Sequence, residues 1–123
     1  MRFPVFILVA FVGMVGVESS AQAACSTARF SFFPAQNDHV TASTDSDSKG
    51  CTHRYRAGST SVFTEASIVA TPKHGSLVKT ENFGFKYTPT AGFTGTDVYS
   101  IKVCGKNIQG SGCSTITYET VVK

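Results

Sequence analysis

One stretch, Pro72 to Tyr99 (PKHGSLVKTENFGFKYTPTAGFTGTDVY), constrains the fold more than any other part of the chain. Pro72-Lys73-His74-Gly75 reads as a turn, because Pro fixes φ and Gly accepts positive φ. Ser76 to Thr80 has a short strand pattern, and Glu81-Asn82 is a tight connection. Phe83 to Thr88 alternates, with Phe83, Phe85 and Tyr87 inward and Gly84, Lys86 and Thr88 outward. Pro89 stops that strand. Ala91 to Asp97 is a corner: Gly92 and Gly95 turn the chain while Phe93 anchors it in the core. The Asp97 carboxylate is placed to accept turn amides. Tyr99 lies on the strand that follows.

The same period of two runs through the flanking segments. Asp97 to Cys104 puts Tyr99, Ile101 and Val103 on one face and Val98, Ser100, Lys102 and Cys104 on the other. Cys113 to Val122 puts Ile116, Tyr118 and Val122 opposite Cys113, Thr115, Thr117 and Glu119. Upstream, Ala28 to Phe33 alternates as a first strand ended by Pro34. Ala35 to Gly50 is a polar loop with room for a short edge strand at Val40–Ala42. Cys51 to Ala57 is a second strand, with His53, Arg54 and Arg56 read as its wet face or a small basic spot. Val62 to Thr71 is a third, with Ala66, Ile68 and Ala70 on one face. No stretch after residue 23 repeats apolar residues at helical spacing. Short strands separated by Gly, Pro and Ser predict an all-β antiparallel sandwich of about seven strands.

The N-terminus has a different character. Arg2 precedes an apolar run, Phe3 to Val17, and Ala21-Gln22-Ala23 has the small-x-small form of a cleavage site. The run falls short of the roughly 20 residues needed to span a bilayer. We therefore expect a signal peptide at 1–23 and one domain at 24–123, exported to the periplasm or the extracellular space, with no membrane span after cleavage. Without Arg2 and Glu18 the domain carries ten Lys+Arg and seven Asp+Glu, a scattered +3. No basic run supports nucleic-acid binding.

All four cysteines, Cys25, Cys51, Cys104 and Cys113, fall in the domain. An even count in an exported chain reads as disulfides, and no C-x2-C spacing suggests zinc. Cys104 and Cys113 sit on the outer faces of neighbouring strands joined by GKNIQGSG, a glycine-rich hairpin loop. Their side chains point the same way, which pairs Cys104 with Cys113 and, by elimination, Cys25 with Cys51.

The pattern P-K-H-G-S-L, then F-K-Y-T-P, then A-G-F-T-G-T-D-V-Y resembles the bacterial immunoglobulin-like and cadherin-like domains of exported and surface proteins. The residues that carry the resemblance are Pro72, Gly75, Tyr87, Pro89, Gly92, Phe93, Gly95, Asp97 and Tyr99. It covers roughly the C-terminal half of the domain and implies an immunoglobulin-like β-sandwich. Cys25 to Gly58 has no counterpart in it.

Chemistry is sparse. His39, His53 and His74 are scattered, and no G-x-S-x-G or H-E-x-x-H occurs. Asp45-Ser46-Asp47 lacks the glycine and glutamate of a calcium loop. The expectation is a binding or structural module without catalysis, cofactor or metal. Its partner would be a protein or glycan at the cell envelope, met by the loop Lys106–Gly112 through Lys106, Asn107 and Gln109. Two alternatives make other demands. A disulfide-stapled enzyme or inhibitor requires a concave pocket with a perturbed His or carboxylate. An envelope structural protein requires an exposed sheet edge.

Overall fold

The computed structural model describes residues 25–123, so the expected signal peptide lies outside the described residues. Eight strands occur in the order β1 (Cys25–Thr27), β2 (His39–Ser46), β3 (Cys51–Arg54), β4 (Val62–Ala70), β5 (Gly75–Glu81), β6 (Gly84–Pro89), β7 (Gly95–Asn107) and β8 (Gly110–Val122). They form a five-stranded sheet, β1-β2-β8-β7-β4, and a three-stranded sheet, β3-β6-β5. The count exceeds the expected seven, and the pairing is not all antiparallel: β2 runs parallel to β8, from His39↔Thr115 to Ser46↔Val122.

Strand parity places the core as expected on β6, β7 and β8. Phe85, Tyr87, Tyr99, Ile101, Val103 and Ile116 are fully buried, and Tyr118 and Val122 nearly so. The centre is a stack of rings drawn from both sheets. Tyr87 and Tyr99 lie 4.7 Å apart, Tyr99 and Tyr118 5.4 Å, and His53 packs on Tyr118 at 3.9 Å. Buried phenols need partners. Tyr55 and Tyr118 share a 2.6 Å bond, Thr120 donates to Tyr99 at 3.0 Å, and Tyr99 bonds His53 Nε2 at 2.7 Å.

The Pro72–Tyr99 stretch closes on Asp97. Its carboxylate accepts the amides of Lys73 (3.0 Å), His74 (3.1 Å) and Val98 (3.1 Å), and the Tyr87 hydroxyl at 2.8 Å. One buried side chain thus ties the turn before β5 to β6 and β7. His74 stacks on Phe93 at 4.4 Å, which fixes the corner from outside.

The upstream half departs from expectation. Ala28–Phe33 is not a strand, although Phe30 and Phe32 do face inward and pack against the core. The polar stretch Ala35–Gly50 contains β2, and β2 is interior to its sheet, between β1 and β8. Its inward residues are Val40, Ala42, Thr44 and Ser46. Small hydroxyl side chains fill that face where the wall of the core is thin, so the alternation is present without a hydrophobic signal. The second strand ends at Arg54, and His53 points inward, 5 % exposed. The connection between β5 and β6 is Asn82-Phe83, so Phe83 is a turn residue leaning on the core.

Both disulfides pair as expected, Cys104–Cys113 from strand parity and Cys25–Cys51 by elimination. Cys104 and Cys113 are register partners within one sheet, whereas Cys25–Cys51 links β1 of one sheet to β3 of the other. Two disulfides fit an oxidising, non-cytoplasmic compartment. Among the described residues no helix is long and apolar enough to cross a membrane.

Candidate functional site

The expected binding loop is mostly strand. Lys106 and Asn107 belong to β7 and pair with Ser111 and Gly110, leaving only Ile108-Gln109 as the turn. Gln109 donates its amide to Asn107 Oδ1 at 2.8 Å, and Ile108 is 97 % exposed. The glycines that suggested a loop have a packing role instead. A Cβ on Gly105 would lie 2.7 Å from the Val62 carbonyl oxygen, and one on Gly112 would lie inside contact with Pro34. These positions admit β4 and the Pro34–Gln36 turn against the hairpin.

The concave surface lies along the edge of the smaller sheet beside β3, and of the expected loop residues only Asn107 reaches it, at the far hollow. Three adjoining hollows of about 340, 310 and 390 Å³ share Arg56 in their lining, and two of them share Arg54 and Tyr55. The sequence places these groups by parity. Cys51, His53 and Tyr55 point inward, and Thr52, Arg54 and Arg56 outward. Across from them runs Arg29–Phe32. Phe30 meets Tyr118 edge-on at 6.0 Å, and Phe32 meets Tyr55 at 5.8 Å and Phe63 at 5.7 Å. The result is a slot with aromatic rings beneath and arginines at its rim. Arg54 is held by Glu81 at 2.9 Å, an exposed pair worth little by itself. Arg56 forms no ion pair among the described residues.

Backbone polarity adds to this. Register pairs Cys51↔Tyr87 and His53↔Phe85 continue into Tyr55, whose amide bonds the Phe83 carbonyl at 2.9 Å. In an antiparallel ladder alternate residues bond the same neighbour. Thr52, Arg54 and Arg56 therefore turn their amides and carbonyls to the open side, into the slot. No residue from Arg29 to Phe32 makes a backbone–backbone hydrogen bond among those described.

Two of the histidines lie apart from this slot: His39 is on β2 and His74 at the turn before β5. His53 lines the slot wall. Burial pushes its pKa down, to about 4, and Lys86 adds to the shift. Its Nε2 is engaged by Tyr99, so the ring is a neutral member of the core network. Burial pushes the hydroxyls of Tyr55, Tyr87, Tyr99 and Tyr118 up, the last to about 12. All four are neutral at physiological pH.

The His53 shift sets a pH dependence. An imidazole with an ordinary pKa of 6.5 in the unfolded chain and about 4 in the fold binds its proton only on unfolding between those values. Stability is fully present above pH 6.5 and falls as pH drops towards 4, by up to about 3 kcal/mol. Urea unfolding at pH 7.5, 5.5 and 4 is expected to show this loss, and His53→Gln to show a shallower slope. Parallel slopes for the two proteins would contradict it.

Arg54, Arg56, Tyr55, Phe30 and Phe32 compose the slot; the sequence offered Arg54 and Arg56 only as a small basic spot or a wet strand face, and Tyr55, Phe30 and Phe32 not at all. The available signal was the strict alternation in CTHRYRA and in ARFSFF; that the two face each other across an open edge is visible only in the fold. No protein-family model matches the chain, and no curated protein matches it.

Proposed function

We propose that the protein is an exported, immunoglobulin-like β-sandwich that acts as a non-catalytic binding module of the bacterial envelope, periplasmic or extracellular. The strand order supports the fold assignment. Counting from β2, the strands divide as first, seventh, sixth and third against second, fifth and fourth. The second, fifth and fourth strands against the third, sixth and seventh follow the immunoglobulin division, with the first strand lying beside the last instead of beside the second, and this supports the reading. The turn motif about Asp97 agrees with it, and the two disulfides support export.

One observation carries the binding reading: three adjoining hollows converge on Arg56 over a floor of aromatic rings. Arginine and aromatic side chains are the groups that dominate recognition surfaces. Mild crosslinking of the protein in its native envelope tests it. Arg56→Glu is expected to lower the yield of the adduct roughly tenfold, about 1.4 kcal/mol of affinity. Lys102→Glu, the same charge change on the outer face of β7, is expected to leave the yield unchanged. An adduct insensitive to Arg56, or lost equally in both variants, would contradict the reading.

His53 gives the enzyme alternative its one supporting observation, a perturbed histidine beside a concavity. The cause of the shift is desolvation, and the single side chain bonded to the ring is Tyr99, itself buried. That arrangement serves the core and presents no bonded acid–base pair to a substrate.

A further inference from the structure

We infer that the slot beside β3 takes an extended peptide of alternating acidic and apolar residues, which adds to β3 as a further strand. The inference rests on the binding reading above and names its partner class.

Four edges are available in a two-sheet protein of this kind, and three are blocked. β1 is three residues long. β4 is bulged twice, between Phe63 and Glu65 and between Ile68 and Ala70. β5 shifts register between Lys79 and Glu81, and the Lys79 ammonium caps the Ala66 carbonyl of β4 at 2.6 Å. Bulges, short strands and lysines on an edge are the usual means of preventing strand addition. β3 has neither a bulge nor a lysine on its edge; its four residues are lengthened by the extended Tyr55 and Arg56, and its edge charges are the arginines that recruit the guest. Its register against β6 is unbroken, and it continues straight into Tyr55.

The unpaired groups of Thr52, Arg54 and Arg56 repeat every second residue, which is the spacing an incoming strand needs. The side chains dictate its composition. A strand added to β3 sets its outer residues beside Thr52, Arg54 and Arg56 as cross-strand neighbours. Carboxylates there meet two guanidiniums, and Arg56 has no competing ion pair. Its inner residues face Phe30 and Phe32, half-buried rings with an open side. The far wall, Arg29–Phe32, has the alternation of a strand and makes no backbone–backbone hydrogen bond among those described.

The probe is the hexapeptide Thr-Glu-Val-Glu-Val-Thr, with amide hydrogen exchange of the exported protein as the readout. Saturating peptide is expected to slow exchange at Thr52, Arg54 and Arg56 about tenfold or more, as new backbone bonds would. In antiparallel addition the guest residues opposite Thr52, Arg54 and Arg56 carry the bonding amides, so the same peptide N-methylated on its glutamate amides, the Arg56→Glu variant, and Thr52→Pro are each expected to abolish the effect. Proline at Thr52 removes only an outward-facing donor, which an edge strand tolerates. Oligogalacturonate, which has the charge without the strand backbone, is expected to leave these amides unchanged. Equal slowing by oligogalacturonate, or by the N-methylated peptide, would overturn strand addition in favour of simple charge binding. No slowing by the hexapeptide would overturn the inference as well. If the Arg56-dependent envelope adduct persists in either case, the binding reading stands and only the peptide assignment falls.

Discussion

Replacing Asp97 with alanine is expected to lower the unfolding free energy by roughly 4 kcal/mol, since hydrogen bonds to a charged group contribute about 1.5–3 kcal/mol each and stranded donors add desolvation costs. The carboxylate is 2 % exposed and serves four donors, two per oxygen: Lys73 and Val98 on Oδ1, His74 and Tyr87 on Oδ2. In a domain of this size each kcal/mol is worth about 4–8 °C, so the melting point should drop by about 20 °C. Asp97→Asn keeps one oxygen for two amides and turns an NH2 towards the His74 amide, which predicts about half the loss. Tyr87→Phe removes one donor and leaves the carboxylate three, for a loss of about 1.5 kcal/mol. Urea unfolding of the three variants checks the order. A Tyr87→Phe loss exceeding that of Asp97→Ala would remove Asp97 from its place as the tie between β5, β6 and β7.

The two disulfides are expected to differ in worth. Replacing Cys25 and Cys51 together by alanine opens a closure spanning 26 residues, about 3.5 kcal/mol in the chain-entropy treatment, against about 2.6 kcal/mol for the nine-residue closure of Cys104 and Cys113. The fold widens the gap. β7 and β8 remain paired from Gly95↔Val122 to Asn107↔Gly110 without their disulfide. β1 is three residues long, and its bond to Cys51 is the covalent link between sheets on the slot side. Losing it frees the segment that carries Phe30 and Phe32, so the slot should lose its aromatic floor along with the stability. Denaturant midpoints for the two double variants measure the difference. Equal midpoints, or a larger loss without Cys104–Cys113, would contradict this ranking.

The C-terminal half was legible because its parity and its polarity agree. Tyr99, Ile101, Val103, Ile116, Tyr118 and Val122 supply an apolar or aromatic run long enough to show the alternation despite the buried Asp97, Ser114 and Thr120, and the cysteine parity that paired Cys104 with Cys113 follows from it. β2 was illegible because Thr44 and Ser46 occupy inward positions that hydropathy reads as loop. His53 was misplaced for a related reason: grouping it with Arg54 and Arg56 by polarity overrode a parity that sets it with Cys51 and Tyr55. Gly105 and Gly112 misled in the other direction. Glycine usually marks a turn, and here it marks the close approach of β4 and of Pro34 to paired strands. The slot could not be read from any single segment, because it forms only where Arg29–Phe32 and Thr52–Arg56 face each other with their backbones unsatisfied.

Amide hydrogen exchange along Cys51–Arg56 in the protein without added ligand tests that arrangement most directly. The open edge predicts an alternation: slow exchange at Cys51, His53 and Tyr55, which bond β6, and fast exchange at Thr52, Arg54 and Arg56, which face the slot. Uniformly slow exchange over all six residues would mean that Arg29–Phe32 already pairs with β3, and would contradict an open recognition edge at this place in the fold.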